Sequence, residues 1–173
     1  MNETLQTIFS RVSVKKYKSD SVPKELLEQI AAAGIAAPSG LNMQSPIVLV
    51  VTDKQVISEL SALNALDDSF KRSDPFYGAP ALLVVLAKKD VGTHVYDGSL
   101  VMENMLLAAH SLGLGACWIH RAKETFEKEA GKAILKRLGI TDEYEGIGNC
   151  IVGYADGTPE VKPRKENRIY YID

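Results

Sequence analysis

Apolar residues recur at helical intervals in five segments of the chain. Two prolines bound the second segment: Pro23 suits the first helical position, and the residue before Pro38 is pushed out of the helical region. Thr52 and Gln55 have the spacing of a capping box for the third segment. The pattern therefore predicts helices over residues 2–9, from Pro23 to about Ala36, from Thr52 to about Ala65, and over 97–112 and 124–138.

Apolar, β-branched runs between these helices predict strands. The run at 46–52 is continuous, which is typical of a strand covered on both faces. The segment 11–18 alternates apolar with polar residues and is predicted to be extended or a turn. Further strands are predicted over 81–87, 115–119, 147–154 and, as a short terminal strand, 169–172, whereas Asp67 to Tyr77 is polar and predicts a loop near a site. Helices and buried strands interleave, so the predicted class is α/β or α+β around one sheet.

The predicted helix at 97–112 is apolar on most of its circumference. A helix that is apolar nearly all round is buried on nearly all sides. In a chain of 173 residues, this indicates either a central helix or one that is buried again in a subunit interface. The apolar positions are Leu100, Val101, Met102, Met105, Leu106, Leu107, Ala108 and Ala109.

Length and composition predict one domain, residues 1–173, because 46% apolar and 24% charged residues are typical of a soluble globular protein. The net charge of −2 argues against a domain that binds nucleic acid. Neither a signal peptide nor an uncharged apolar stretch of about 18 residues is recognisable, so we expect a cytoplasmic protein without a membrane span. Cys117 and Cys150 lack zinc spacing and are expected to be buried thiols, with a disulfide as the alternative.

Basic residues cluster near each end of the chain. Alternate residues of an extended segment point the same way, so Arg11, Ser13 and Lys15 would project from one face. Two cations with a hydroxyl between them suit a phosphate. Lys162 and Arg164, separated by a proline, can likewise project toward one anion. The alternative interpretations are a solvated basic edge and a basic tail.

Two further segments carry candidate chemistry. Residues 38–44 place Ser, Asn and Gln side chains between a helix and a strand, and Gly40 permits close backbone approach, which together suit the polar edge of a planar heterocycle. The alternative is a turn that stops the helix and satisfies local backbone groups. Residues 113–120 predict a helix end followed by tight entry into a strand, with His120 at the end of the strand.

Several enzyme classes find no support in the sequence. It contains no GxSxG, no HExxH, no P-loop and no GxGxxG that opens a helix. A nicotinamide would therefore bind as a passing substrate, and no metal is expected.

In this order, the four segments resemble the FMN-dependent nitroreductase family. That family opens with Arg-x-Ser-x-Arg/Lys, here residues 11–15, and continues with Pro-Ser-Ser/Gly-x-Asn-x-Gln, here residues 38–44, followed closely by a proline. A long helix then leads to a Gly-Leu-Gly turn and Trp-Ile, here residues 113–119, and the pattern closes with Lys-x-Arg, here residues 162–164. The conjunction of these motifs at compatible spacing is specific and spans nearly the whole chain.

The resemblance implies an α+β fold of three layers. A central, mostly antiparallel sheet would be flanked by helices in an α/β/α sandwich, and two chains would form an intertwined homodimer with two FMN sites at the interface. Arg11, Ser13, Lys162 and Arg164 would hold the FMN phosphate. Lys15 would lie near the N1/O2 edge of the isoalloxazine, where a cation stabilises the anionic reduced flavin.

The resemblance also implies contacts around the flavin ring. The backbone at His120 and Arg121 would face flavin N5 and O4, and no side-chain acid or base is required. The family often has Gly or Glu at that place, so His-Arg is a departure that bears on substrate preference. The further implied contacts are Val12, Ile119, His120 and Arg121 from one subunit, with Pro38, Ser39, Gly40 and Asn42 from its partner.

The implied reaction transfers electrons from NADH or NADPH, through the bound FMN, to a small acceptor such as a nitroaromatic or quinone. Donor and acceptor would share one site, which gives ping-pong kinetics. The alternatives are an FMN-binding carrier or sensor without turnover, and a same-fold flavoenzyme with other reductive chemistry. The chain is shorter than better-studied members between about Ala65 and Ala79 and around Asp90; within the first of these regions, Lys71 and Arg72 are candidates to approach the ring or the ribityl chain.

Overall fold

Six α-helices and four strands make up the regular structure of the described residues. The computed structural model describes residues 1–65 and 74–173. The helices are α1 (Glu3–Ser10), α2 (Lys24–Ile35), α3 (Lys54–Asn64), α4 (His94–Ser111), α5 (Ala122–Glu127) and α6 (Glu129–Arg137). The strands are β1 (Ile47–Val51), β2 (Ala81–Lys88), β3 (Gly115–Ile119) and β4 (Tyr144–Gly153), and a short 3₁₀ turn covers Gly40–Asn42.

The four strands form one sheet in the order β1-β2-β4-β3. Every neighbouring pair is antiparallel, with Val48 opposite Val85 between β1 and β2 and Ile119 opposite Asn149 between β3 and β4. A register shift between Val85 and Leu86 marks a bulge in the β2–β4 pair. The sheet is therefore of the α+β kind, since the α/β alternative would require parallel strands.

Helices cover both faces of this sheet, which gives three layers. On one face, the odd-numbered side chains of β2 pack in a cluster that includes Leu27 of α2 and Met102 and Met105 of α4. On the other face, the even-numbered side chains pack in a cluster that includes Leu60 of α3 and Leu135 of α6. The alternation follows from the period of two along a strand. The three-layer α/β/α sandwich expected from the sequence is thereby confirmed.

Helices α2 and α4 pack closely because a glycine lies between them. A side chain at Gly34 would bring its Cβ to 2.6 Å from Cγ of Met105. Helix α1 also packs on α4. Ser10 Oγ at the end of α1 and His110 Nε2 of α4 are hydrogen-bonded at 2.7 Å. The sequence predicted α4 to start at residue 97, and it starts three residues earlier.

Two sequence predictions about β1 and α3 are wrong. β1 lies at the edge of the sheet and is only partly buried, with Val50 43% exposed, so it is not covered on both faces within this chain. The N-cap of α3 is Asp53 rather than Thr52. Its carboxylate accepts hydrogen bonds from the backbone N–H groups of Gln55 and Val56. A negative charge is favourable at this position because the N-terminus of a helix carries a partial positive charge.

Two other elements also differ from the sequence pattern. The single helix predicted over 124–138 is two helices, because Lys128 adopts an extended conformation (φ −76°, ψ 150°) between them. The bend lets Gly131 approach so closely that a Cβ there would lie 2.2 Å from the carbonyl oxygen of Thr125. Residues 169–172 were predicted to form a strand, but they pair with no strand in the described part of the chain, and their side chains are exposed.

Cys117 and Cys150 are buried free thiols, as expected. They lie on neighbouring strands but belong to the clusters on opposite faces of the sheet. Among residues 1–65 and 74–173, every helix is too short or too polar to cross a lipid bilayer.

Candidate functional site

The basic segment near the N-terminus is tied to the sheet as an extended chain. Ser13 forms a parallel bridge with Ala116 of β3, and the backbone N–H of Val14 donates to the Ala116 carbonyl at 3.0 Å. Gly115 permits this approach, since a Cβ there would lie 2.8 Å from the Val14 side chain. Gly115, the second glycine of the Gly-Leu-Gly turn, is thus required because the basic segment passes directly over it at Val14.

Tyr17 anchors the far end of the same segment. It forms an antiparallel bridge with Ala155, and its hydroxyl donates to the Val14 carbonyl at 2.6 Å. Burial raises the pKa of the Tyr17 phenol, so the hydroxyl keeps its proton and remains a donor. The N–H of Arg11 donates to the Thr7 carbonyl of α1 at 3.0 Å, so the segment carrying Arg11, Ser13 and Lys15 is held at Arg11, at Val14 and at Tyr17.

A second segment, after β4, faces the first across a cavity of about 760 Å³. The N–H of Asp156 donates to the Lys16 carbonyl at 3.0 Å, and Lys16 Nζ lies 2.7 Å from Asp156 Oδ2. The hydrogen bond from Lys16 holds the pKa of the Asp156 carboxyl below its ordinary value. Residues 156–164 then run along the cavity, so the two basic groups from opposite ends of the chain line one space.

Four cations and one hydroxyl predicted from the sequence line this cavity. They are Arg11, Ser13, Lys15, Lys162 and Arg164, and Val12 lines it as well. Arg11 is 18% exposed, and its Nε lies 3.7 Å from Oε1 of Glu103 on α4. Lys15 Nζ lies 5.9 Å from the centre of the Tyr77 ring, within cation–π range. Glu103 belongs to no motif, so the sequence alone did not reveal it, whereas Tyr77 ends the segment that the sequence predicted to be a loop near a site.

The polar loop at 38–44 is not part of this cavity in the same chain. Buried Asp97 of α4 organises it: Asp97 accepts hydrogen bonds from the Gly40 N–H at 3.0 Å and from the Thr93 hydroxyl at 2.9 Å. Gly40 is needed there because a Cβ would lie 2.4 Å from Thr93 Oγ1. Asn42 has a φ of 55° and accepts a hydrogen bond from the Gln44 side chain at 3.0 Å.

The same loop presents its most apolar residue to solvent. Leu41 has a φ of 51° and is 96% exposed, while Ser39 Oγ accepts a hydrogen bond from the Gln44 N–H at 2.9 Å. Pro38 and Ser39 lie between the end of α2 and the 3₁₀ turn at Gly40–Asn42. The loop is thus a fixed, outward-facing structure with polar groups and Leu41 at its tip.

The end of β3 carries the remaining predicted residues. Ile119 is the last residue of the strand, and the carbonyl oxygen of His120 accepts a hydrogen bond from Asn64 Nδ2 at 2.8 Å. Arg121 has a φ of 72°, in the left-handed region that favours glycine. The His120–Arg121 pair stands where the resembled family often has Gly or Glu. Lys71 and Arg72 lie outside the described residues.

Comparison with known proteins decides the family. Residues 8–154 match the family model described as the nitroreductase family. The chain belongs to the nitroreductase family. The resemblance inferred from four short motifs is therefore confirmed over most of the chain.

Two curated relatives align with all or nearly all of the chain. A putative NADH dehydrogenase/NAD(P)H nitroreductase of Archaeoglobus fulgidus is 29% identical in an alignment 178 residues long. The alignment covers 100% of this chain and 92% of that protein. The NADPH-flavin oxidoreductase of Vibrio harveyi is 26% identical over 176 residues, which include 95% of this chain and 70% of that protein.

Solved nitroreductase structures share the whole fold. A nitroreductase with bound FMN from Desulfitobacterium hafniense superposes with a TM-score of 0.89 at 30% identity, and one from Bacteroides fragilis, also with bound FMN, with a TM-score of 0.88 at 27% identity. Both alignments cover 100% of this chain and 100% of the other.

Proposed function

We propose that this nitroreductase binds FMN and transfers electrons from NADH or NADPH to a small acceptor. The observation that carries the proposal is the cavity between residues 11–16 and 156–164, where basic groups from the two ends of the chain meet. The relatives named as NAD(P)H nitroreductase and NADPH-flavin oxidoreductase, and the similar structures with bound FMN, support the same assignment.

The chemistry of this cavity fits a phosphate. Arg11, Lys162 and Arg164 supply cations and Ser13 supplies a hydroxyl, and such groups form charge-assisted hydrogen bonds with phosphate oxygens. Glu103 approaches the Nε side of Arg11, whereas planar, bidentate recognition of an anion can use the two terminal amino groups. We assign Arg11, Ser13, Lys162 and Arg164 to the FMN phosphate.

From this phosphate end, β3 leads to the residues that we assign to the ring. Ala116, beside Ser13, and His120 are four residues apart along extended chain, about 13 Å. We assign Ile119 and the backbone of His120 and Arg121 to the flavin ring. Lys15, which shares the cavity, would stabilise negative charge at the N1/O2 edge of the ring.

We further propose a homodimer in which the loop at 38–42 reaches the cofactor of the partner. Large apolar side chains are exposed on α1, on α4, which α1 contacts, and at residues 169–172, and exposed apolar surface of this extent marks an interaction site. The apolar excess of α4 predicted from the sequence has the same explanation, because the face carrying Leu100 is exposed in one chain. The exposed residues are Leu5, Ile8, Phe9, Val95, Tyr96, Leu100, Ile169, Tyr170, Tyr171 and Ile172.

The protein's part in this reaction is binding, orientation and electrostatics. FMN supplies the redox chemistry when it is bound. Donor and acceptor would occupy the same site in turn, so ping-pong kinetics are expected. Free, buried thiols agree with a reducing compartment, and we propose a cytoplasmic location.

The absorbance spectrum of the purified protein tests the proposal. We expect bands of oxidised flavin that bleach when NADH or NADPH is added without oxygen, and that return when a quinone or nitroaromatic follows. A protein that stays colourless after incubation with FMN would refute the assignment. Bound flavin that no nicotinamide reduces would instead indicate a carrier or sensor.

A further inference from the structure

Two buried amide side chains converge on one backbone carbonyl at the end of β3. Asn64 Nδ2 donates to the carbonyl oxygen of His120 at 2.8 Å, and Asn149 Nδ2 lies 3.5 Å from the same oxygen and from that of Ile119. Asn64 is 2% exposed and Asn149 is 1% exposed. They come from different elements, since Asn64 ends α3 and Asn149 lies on β4 opposite Ile119.

Burial of two amides here needs a reason beyond packing. A polar side chain loses its hydrogen bonds to water when it is buried, which costs free energy wherever the protein does not replace them; Asn149 Oδ1 has no partner among the described residues. An apolar residue at the end of α3 would pack against the neighbouring core without that requirement. The site therefore retains groups whose particular property is to hold a carbonyl in place.

The residue after this carbonyl needs such restraint. Arg121 has a φ of 72°, and residues other than glycine enter the left-handed region only at an energetic cost. Its own carbonyl is held as well, because the hydroxyl of buried Thr125 donates to it at 2.9 Å and the Thr125 N–H at 3.1 Å. Hydrogen bonds thus fix the carbonyl on each side of Arg121.

Fixing the His120 carbonyl also fixes the rest of its peptide group. The peptide is planar and trans, so its C=O and N–H point in opposite directions. With the carbonyl turned toward Asn64 and Asn149, the N–H of Arg121 is turned to the opposite side. If the bond to Asn64 were absent, relief of the left-handed conformation would rotate this plane.

We propose that Asn64, assisted by Asn149, is a positioning residue for electron transfer. Its amide holds the His120–Arg121 peptide in the orientation in which it borders the reactive edge of the flavin. This inference rests on the proposed function. It assigns no contact between Asn64 and the cofactor, only control over the backbone that we assign to the ring.

The first test replaces Asn64 with leucine, which keeps a similar volume and removes the donor. We expect flavin reduction at saturating NADH or NADPH to slow by about tenfold, since misplacement of a reacting group by a fraction of an ångström already costs rate. The dissociation constant for FMN should change by less than about threefold, because the phosphate contacts of the cavity remain. In the protein without FMN, hydrogen exchange over residues 119–125 should become faster.

Asn104→Leu is the matched control. Asn104 also donates an amide hydrogen bond to a backbone carbonyl, that of Ala33, at 3.0 Å, but far along the chain from the end of β3. This variant should leave the reduction rate and hydrogen exchange over 119–125 unchanged. Loss of rate in both variants to the same degree would indicate general destabilisation and overturn the inference.

A double-mutant cycle with Arg121→Gly separates positioning from stability. Glycine adopts a φ of 72° readily, so the peptide has less tendency to rotate when Asn64 is replaced. The effect of Asn64→Leu on the reduction rate should therefore fall from about tenfold to about threefold or less in the Arg121→Gly background. Equal effects in both backgrounds would contradict the proposal.

Thr125→Val supplies a second variant if Asn64→Leu does not fold. It preserves shape and removes only the hydroxyl bond to the Arg121 carbonyl, so we expect reduction to slow in the same direction by a few fold. Wild-type rates in this variant and in any folded Asn64 variant would overturn the inference. Failure of the wild-type protein to bind FMN would instead refute the proposed function.

Discussion

Arg11 Nε lies 3.7 Å from Glu103 Oε1, so a cation of the proposed phosphate site is paired with an acid from α4. The carboxylate competes with phosphate for the guanidinium, and Glu103 is half-exposed, so its influence is screened. We expect Glu103→Gln to tighten FMN binding about two- to fivefold at low salt and hardly at all at high salt. Fluorescence titration measures this, with Glu28→Gln, from the surface pair with Lys24, as the control. Weaker binding would mean that Glu103 orients Arg11 instead.

Replacing Arg11 or Arg164 should weaken the binding of the phosphate group of FMN and leave the binding of the rest of the ligand unchanged. We expect Arg11→Ala and Arg164→Ala each to weaken FMN binding by about 1.5–3 kcal/mol, the value of a hydrogen bond to a charged group. Riboflavin, which lacks the phosphate, should bind both variants as it binds the wild-type protein. Lys24→Ala provides a surface control. Full retention of FMN by both variants would refute the phosphate assignment.

The proposed dimer should depend on the exposed apolar surface of α1 and α4. Leu100→Glu places a charge at an α4 side chain that is 46% exposed in one chain and does not line the cavity, and we expect it to shift the protein from dimer to monomer in sedimentation velocity. FMN should be lost with the dimer, because the loop at 38–42 would no longer reach the partner's site. Leu138→Glu, at an exposed apolar residue after α6 on the opposite side of the sheet, should leave the dimer intact. A monomeric wild-type protein that binds FMN would contradict this assembly.

Stability should fall as the solution becomes alkaline. Burial raises the pKa of Cys150 above its ordinary value of 9.0 and that of Tyr17 above 10.0. At alkaline pH the native state keeps protons that the unfolded chain releases. The free energy of unfolding is therefore unaffected by these two groups at pH below their ordinary pKa values and declines as pH rises through those values. Denaturant unfolding at neutral and alkaline pH measures the decline. Cys150→Ala and Tyr17→Phe should each flatten it, even though each also changes stability at neutral pH; an unchanged slope in both would be inconsistent with this explanation.

Apolar patterns predicted helices and strands around one sheet, because these depend on strong local signals. The α+β class and the convergence of the two basic groups were implied by the family resemblance. The continuous apolar run of β2 predicted a buried strand, and the Arg-x-Ser-x-Lys spacing predicted three side chains on one face of an extended segment. The break at Lys128 was missed because the residues around it form helices well, and only the close approach of Gly131 to Thr125 requires the bend. The cap at Asp53 was missed because Thr52 offered an equally good local pattern.

The supporting residues of the site could not be read from local patterns. Asn64 and His120 are 56 positions apart, and Gly40 and Asp97 are 57 apart, so their hydrogen bonds exist only after the sheet and helices are assembled. Burial of β1 was predicted wrongly for a related reason. A run of apolar residues indicates that a strand has apolar surface to bury. It does not indicate whether the residues that bury this surface belong to the same chain.

The two walls of the cavity differ in how firmly they are held, and this affects how fast the cofactor arrives and leaves. Arg11 and Ser13 belong to a segment bonded into the sheet, whereas Lys162 and Arg164 lie on an exposed segment. Charges on a solvated rim mainly accelerate encounter, and partly buried charges mainly slow departure. We therefore expect Arg164 to govern the association rate and its dependence on salt, while Arg11 governs the residence time of FMN.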